Sequence, residues 1–140
     1  MHWMTLPLKR YADFQGRSRR MEYWTFAVFI TLIAFAWSTV AALVGGLSTI
    51  EGGEWSTPFM LWALVGGLAY LAMLIPGLAV MIRRLHDRDL TGWFALLNFV
   101  PYIGGIIIFV LMLLPGTSGP NKYGPDPKDP DFDHMARVFS

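Results

Sequence analysis

Three long segments of the chain contain no Asp, Glu, Lys or Arg, and they constrain the fold more than any other feature. They cover residues 23–50, 59–82 and 90–121. About 20 apolar helical residues are enough to cross the hydrocarbon core of a bilayer, which is roughly 30 Å thick. The sequence therefore predicts an all-α membrane protein. We expect a small helical bundle with about three transmembrane helices, at about 24–47, 59–82 and 92–114.

The third segment differs from the other two because its middle is interrupted. Pro101 and the pair Gly104-Gly105 divide it into halves that would each reach only about 16 Å as a helix. The segment is either one kinked span or a re-entrant hairpin whose irregular middle is buried in protein. Its second half, residues 106–114, is too uniformly apolar to shield a hairpin tip, so the sequence favours the kinked span.

Charge outside these segments is uneven and predicts the orientation. Residues 1–22 carry five basic and two acidic groups, the connection at 51–58 carries no basic group, and the turn at 83–89 carries three arginines. Short loops rich in Lys and Arg stay in the cytoplasm. We therefore predict a basic cytoplasmic or interfacial N-terminal segment at 1–22, followed by a transmembrane domain at 23–114.

The composition changes abruptly after the third segment. Residues 115–140 contain five prolines and four aspartates and cannot bury a core of their own, so we predict an extended tail. Three complete spans would place this tail outside the cell, whereas a re-entrant third segment would return it to the cytoplasm. Only the second arrangement allows Asp126 to dock on the basic residues.

The densest charge lies in "RRLHDRD", residues 83–89, where six of seven side chains are ionisable. On a helical continuation of the second span, Asp87 follows Arg83 by four residues and Arg84 by three, so one carboxylate can face two guanidiniums. We predict that Asp87 forms a structural ion pair. The residues of this turn that we expect to bind anionic lipid head groups or a partner protein are Arg83, Arg84, His86 and Arg88.

A second basic cluster lies just before the first span, within "FQGRSRRMEYW". We expect it to approach the same membrane face as the charged turn, so that both form one basic patch. Gly16 permits the tight chain reversal that this arrangement needs. Each basic residue near an anionic membrane surface contributes on the order of 1 kcal/mol of binding. The residues of this cluster are Arg17, Arg19 and Arg20.

Glu22 stands at the hydrocarbon boundary of the first span, where an unpaired carboxylate is costly. We therefore predict that it pairs with Arg83 or Arg84 across the interface between the first two spans. A bidentate arginine–carboxylate pair would clamp these spans together.

Four motifs follow one another along the chain. They are "F-x-G-R-x-R-R-x-E-Y-W", "R-R-L-H-D", "G-W" and "L-P-G-x-x-G-x-N-x-Y-G-P-D-P", and they cover about residues 11–127. Together they resemble the domain-of-unknown-function family 805 of small bacterial inner-membrane proteins. The resemblance implies a multi-pass helical protein of undefined activity, although Asp89 stands where the family commonly has a small polar residue. The last of the four motifs, in the tail, includes Asn121, Tyr123 and Asp126.

Several classes of site find little support in the residues. The chain has no cysteine, so it lacks a thiolate nucleophile and a cysteine-based metal site. Its three histidines lie in separate regions, without the spacing of a helical metal site, and no glycine loop for phosphates is present. We expect no metal, no cofactor and no nucleic-acid partner.

Catalysis would depend on His86 as a base beside Asp87, with arginines holding a phosphate-bearing lipid. Nothing else in the sequence supports an enzyme, so we expect a membrane scaffold or accessory subunit that presents the basic patch to anionic lipids or a protein. Small residues on the apolar segments allow close contacts in a homo-oligomer or with a membrane protein partner. A small oligomeric transporter or channel component, or a lipid-phosphate-processing enzyme, is the alternative.

Overall fold

Helices account for all the regular secondary structure in the part of the chain that the computed structural model describes, which is residues 2–50 and 57–129. The rest of the predicted tail, residues 130–140, and most of the connection between the first two spans lie outside the described residues. In chain order the helices are α1 (His2–Lys9), α2 (Arg20–Ile50), α3 (Thr57–His86), a 3₁₀-helix (Gly92–Phe99) and α4 (Gly104–Leu113).

Two helices are long and apolar enough to cross a membrane. They are Arg20–Leu43 within α2, with a mean hydropathy of 2.2, and Thr57–His86, with a mean hydropathy of 2.1. Large apolar side chains such as Phe35 and Leu68 are exposed on them, which suits contact with lipid rather than water. The predicted all-helical class is confirmed for the described residues, and the first two predicted spans fall within α2 and α3.

α2 and α3 pack against each other through aromatic rings and a glycine. Trp37 of α2 stacks on Trp62 of α3 with ring centroids 4.0 Å apart. Gly66 lies directly beneath Trp37, and a Cβ at this position would overlap the indole ring. The absence of a side chain at Gly66 is therefore what lets the two helices approach closely here.

The third segment folds as two short arms joined by a turn. The 3₁₀-helix ends at Phe99, α4 begins at Gly104, and Tyr102 between them has a positive φ of 65°. Gly104 packs against the carbonyl oxygen of Leu97 so closely that a Cβ would overlap it. The arms thus lie against each other, with a proline and a glycine at the positions where the chain reverses.

Both ends of this segment meet at the same place. The amide of Thr117 donates a hydrogen bond of 2.8 Å to the carbonyl oxygen of Asp87, and Arg84 donates one to the carbonyl of Leu114. The ends of one kinked span would be separated by about the thickness of the bilayer, roughly 30 Å. The two arms therefore fold back on each other as a hairpin, an arrangement that the sequence left open beside the kinked span that it favoured.

Uniform apolarity does not distinguish a kinked span from a hairpin. Ile108 and Met112 of α4 pack with Leu85 and Ala95 in a small buried core, so one face of α4 is covered by protein. Leu111 is partly buried against this core, and the other large side chains of α4 are exposed, as they would be in contact with lipid. A helix of 10 residues is also only about 15 Å long, too short to cross the hydrocarbon by itself.

Gly104→Ala should destabilise the protein by about 1–3 kcal/mol, because the added methyl group must displace the carbonyl of Leu97. Gly105→Ala is the matched control, since nothing lies within 4 Å of a Cβ there. It should be neutral or stabilising by up to about 1 kcal/mol, because alanine favours a helix more than glycine does. Unfolding in detergent, followed by tryptophan fluorescence, measures both changes. Equal effects of the two substitutions would contradict the close contact between the arms.

Candidate functional site

Five charged side chains are buried together at one end of the helices, and we call them the polar cluster. They come from the segment before α2, from the first turn of α2 and from the end of α3. The chain reaches this place through a reversal at Gly16, whose φ of +76° favours glycine, and the amide of Ser18 then donates to the carbonyl of Arg83 at 3.1 Å. The members of the polar cluster are Arg17, Glu22, Arg83, Arg84 and Asp87, each at most 5% exposed.

Arg83 and Glu22 form the contact between α3 and α2. Nη2 of Arg83 lies 3.0 Å from Oε1 of Glu22, and both side chains are buried. A second acid, Asp13, has its Oδ2 3.9 Å from Nη1 of Arg83, but its side chain is 39% exposed. Of the two partners expected for Glu22, the structure places Arg83 beside it. The pair joins the two long helices at the end where the charged residues lie.

Asp87 binds two arginines from different parts of the chain. Its Oδ1 lies 2.9 Å from Nη2 of Arg17 and accepts a hydrogen bond of 3.0 Å from Nε, while its Oδ2 accepts a hydrogen bond from Arg84. The sequence predicted Arg83 and Arg84 as the two partners. Arg83 instead faces Glu22, so Arg17 takes its place and joins the N-terminal segment to the end of α3.

The tail docks on the polar cluster through its backbone. Arg17 donates hydrogen bonds of 2.6 Å to the carbonyls of Thr117 and Gly119, and Arg19 donates one to the carbonyl of Pro127. Carbonyl oxygens satisfy the guanidinium donors that Asp87 leaves free, which lowers the cost of burying a charge. Residues 117–127 therefore lie against the charged turn and the N-terminal segment.

Two tail residues of the predicted motif contact His86. Nδ2 of Asn121 donates to the carbonyl of His86 at 2.9 Å, and the ring of Tyr123 stacks on the imidazole with centroids 3.8 Å apart. Nδ1 of His86 lies 3.2 Å from the carbonyl oxygen of Gly16, which can only accept, so this nitrogen donates. The tail therefore covers His86. A catalytic His–Asp pair would require Asp87 to orient the imidazole, and Asp87 does not do so here.

Asp126, for which docking on the basic residues was one alternative, bonds with backbone amides of the tail instead. It accepts hydrogen bonds from Lys128 at 2.9 Å and from Gly119 at 3.1 Å. The amide of Lys128, together with that of Gly119 and the charges of Arg17 and Lys128, holds the pKa of Asp126 below its ordinary value. Asp126 thus shapes the loop that presents the carbonyl of Gly119 to Arg17.

The predicted basic patch is only partly available at the surface. Arg17, Arg83 and Arg84 are buried, because carboxylates and tail carbonyls surround their guanidiniums, so in this structure they face protein groups. Their expected contact with lipid head groups stays a prediction. Arg20 is exposed, and Arg19 and Arg88 are partly exposed. The basic residues therefore divide into two groups. The inner basic residues, Arg17, Arg83 and Arg84, are buried in the polar cluster, and the outer basic residues, Arg19, Arg20 and Arg88, lie around it.

Two residues of the site escaped the sequence analysis. Thr117 binds the carbonyl of Asp87 through both its amide and its hydroxyl, at 2.8 and 3.1 Å. Gly116 lies against the carboxylate of Asp87, and a Cβ there would overlap it. The glycine in "LPG" was a signal for such a close approach, but nothing in the sequence names Asp87 as the neighbour. In residues 2–50 and 57–129, no three His, Asp or Glu side chains come together as metal ligands would.

Comparisons with known proteins agree with this architecture in its broad class. A family described as "Protein of unknown function (DUF805)" matches residues 11–125. Inner membrane protein YhaI of Escherichia coli (strain K12) is 41% identical over 128 residues, which are 91% of this chain and 97% of that protein. Inner membrane protein YhaH of the same strain is 40% identical and is covered over 98% of its length. No solved structure matches the chain.

Glu22→Gln should destabilise the protein by about 3–5 kcal/mol, because it leaves the guanidinium of Arg83 buried without a counter-charge. In a chain that already carries Arg83→Met, the same substitution should cost far less. Unfolding free energies of the four chains, measured in detergent, give the coupling between the two residues. Asp13→Asn is the control, since this exposed acid should contribute no more than about 1 kcal/mol. Additive effects of the Glu22 and Arg83 substitutions would show that no clamp exists.

Proposed function

Because the chain belongs to the DUF805 family, we propose that it is a multi-pass protein of the bacterial inner membrane that acts as a scaffold for anionic lipids. One observation carries this proposal: the tail is bound to the charged turn and to the N-terminal segment by Arg17 and Asp87. All three segments then share one side of the membrane. The scaffold presents the outer basic residues on that side.

The proposed topology has two spans and a re-entrant hairpin. α2 and α3 cross the membrane, and the hairpin of residues 92–113 enters and leaves from the side of the polar cluster. Its tip exposes Phe99, Tyr102 and Ile103, three large apolar side chains that need hydrocarbon around them. The tip is not surrounded by the described residues of this chain, and hydrogen bonds from the amides of Val100 and Gly104 to the carbonyls of Leu97 and Val100 pair backbone groups that would otherwise meet hydrocarbon.

The distribution of basic residues supports a cytoplasmic location for this end. The N-terminal segment carries five basic groups, the charged turn carries three, and the docked part of the tail adds Lys122 and Lys128. No lysine or arginine lies in the connection between α2 and α3. The positive-inside rule then places the connection outside and the polar cluster in the cytoplasm.

The chemistry of the site favours a scaffold over an enzyme. Both carboxylates of the polar cluster are occupied by arginines, and the ring of His86 is covered by Tyr123. A group that serves as a base or nucleophile must reach a substrate. The outer basic residues, in contrast, border the membrane boundary at the start of α2 and the end of α3, where anionic head groups lie.

Single cysteines test this topology cleanly, because the chain contains none of its own. We expect Thr57→Cys to react with a membrane-impermeant maleimide in intact cells, and Thr91→Cys and Ser118→Cys to react only after lysis. All three positions are exposed in the structure, so labelling reports on the side of the membrane. Thr57 at the start of α3 and Thr91 after its end calibrate the two sides.

The labelling of Ser118→Cys decides between the re-entrant hairpin and a third segment that crosses the membrane. Labelling of Ser118→Cys in intact cells, with Thr91→Cys still protected, would mean that the third segment crosses the membrane, and the proposed topology would be wrong. Protection of both positions supports the re-entrant hairpin.

A further inference from the structure

Two arginines converge on the last turn of α4. Nη1 of Arg20 donates to the carbonyl of Leu113 at 3.2 Å, and Arg84 donates to the next carbonyl, that of Leu114. The carbonyl end of a helix attracts cations, which accounts for these contacts, and Arg20 keeps other guanidinium nitrogens at the surface. The two side chains come from different helices, so their meeting point is a feature of the fold.

A third arginine, Arg88, adds positive charge near Arg84. Arg88 follows Arg84 by four residues, and its Nε and Nη1 are buried without a hydrogen-bond partner. Nε of Arg84, a side chain with 0% exposure, also has no partner. The positive charges of Arg20 and Arg88 both repel that of Arg84. Buried donors without acceptors and like charges in proximity both cost free energy, so the region lacks an anion.

Acidic side chains do not supply this anion in the part of the chain that the structure describes. Asp87 is the acid that contacts Arg84, and it is shared with Arg17. Glu22 is occupied by Arg83. Neither Arg20 nor Arg88 forms an ion pair with a carboxylate of residues 2–50 or 57–129. Of Arg20, Arg84 and Arg88, Arg84 alone contacts a carboxylate of the described residues, and it shares that of Asp87 with Arg17.

The surroundings indicate what kind of anion fits. Arginine is the side chain best suited to phosphate, because its planar fork can donate two parallel hydrogen bonds. Beside the arginines lies the apolar surface of α4 and Trp24, whose Nε1 donates to the carbonyl of Met112 at 3.4 Å and whose ring meets that of Phe109 edge to face. Tryptophan is typical of the membrane–water boundary.

We propose that Arg20 and Arg88 bind the phosphate of an anionic phospholipid, whose acyl chains lie along α4 and the start of α2, while the charge of the buried Arg84 adds to the attraction. The phosphate accepts hydrogen bonds from the exposed parts of these two guanidiniums and offsets the repulsion among the three arginines. This site rests on the proposed function, because it requires the polar cluster to lie at a membrane surface. Free inorganic phosphate offers the same oxygen atoms without the apolar part.

Native mass spectrometry of the full chain in detergent, titrated with short-chain phosphatidylglycerol, tests the site. Arg20→Gln and Arg88→Gln should each weaken binding about tenfold, since each removes a charge-assisted hydrogen bond. Lys9→Gln is the control, because it removes an exposed cation at the end of α1, away from this region. Arg84 is left unchanged, since its buried pair with Asp87 is needed for folding.

The outcomes separate the sources of the anion. Preference for phosphatidylglycerol over phosphatidylcholine, lost in Arg20→Gln and Arg88→Gln but kept in Lys9→Gln, supports the lipid site. Equal affinity of all four chains for phosphatidylglycerol overturns it. Inorganic phosphate that binds as tightly as the lipid and displaces it overturns the lipid assignment in favour of the free ion.

The same variants distinguish failure of this site from failure of the proposed function. If lipid binding is unaffected by the substitutions while Ser118→Cys remains protected in intact cells, only the site is wrong. If Ser118→Cys is labelled from outside, the tail cannot lie on the polar cluster in the membrane, and both proposals fail together.

Discussion

The carboxylate of Asp87 is the contact on which the arrangement of the other elements depends. It receives Arg17 from the N-terminal segment and Arg84 from α3, and its own backbone carbonyl receives Thr117 from the tail. Gly116 leaves room for the carboxylate by having no side chain. One residue thus connects three segments of the chain, and its ion pairs with Arg17 and Arg84 are shielded from solvent.

Polar contacts have this importance because apolar contacts cannot organise such a chain. In a bilayer, lipid tails are as apolar as leucine, so packing two helices together yields no hydrophobic gain. The hydrophobic core is correspondingly small, with seven buried apolar residues among those described, while most large apolar side chains of α2 and α3 are exposed. Buried ion pairs contribute little net stability, but removing one partner is costly, and they therefore select one arrangement.

How far the sequence predicts this structure differs between elements for physical reasons. The first two spans could be predicted, because a segment of more than 20 residues without charge has few alternatives to crossing a membrane. The partner of Glu22 could be narrowed to Arg83 or Arg84, because a lone acid at the hydrocarbon boundary is costly. The hairpin could not be predicted with certainty, because an apolar helix that faces lipid has the same composition whether or not it crosses the bilayer.

The backbone contacts through which the tail docks escaped prediction for a different reason. Arg17 and Arg19 bind backbone carbonyls of Thr117, Gly119 and Pro127, and every residue type has such a carbonyl. Side-chain chemistry therefore gave no signal of these contacts. The acid that seemed suited to dock, Asp126, instead fixes the loop from within. The tail contains prolines, which suggested an extended chain, and Gly119, whose positive φ turns the chain where its carbonyl accepts from Arg17.

The distance between spin labels at Thr91→Cys and Ser118→Cys in lipid bilayers, measured by double electron–electron resonance, tests the central claim most directly. Thr91 follows Asp87 by four residues and Ser118 follows Thr117, so the hydrogen bond between Thr117 and Asp87 holds the labels together. We expect one narrow population below about 25 Å, which is less than the hydrocarbon thickness, and a broader one when Asp87→Asn is added. A population beyond about 30 Å would place the tail across the membrane and contradict the account.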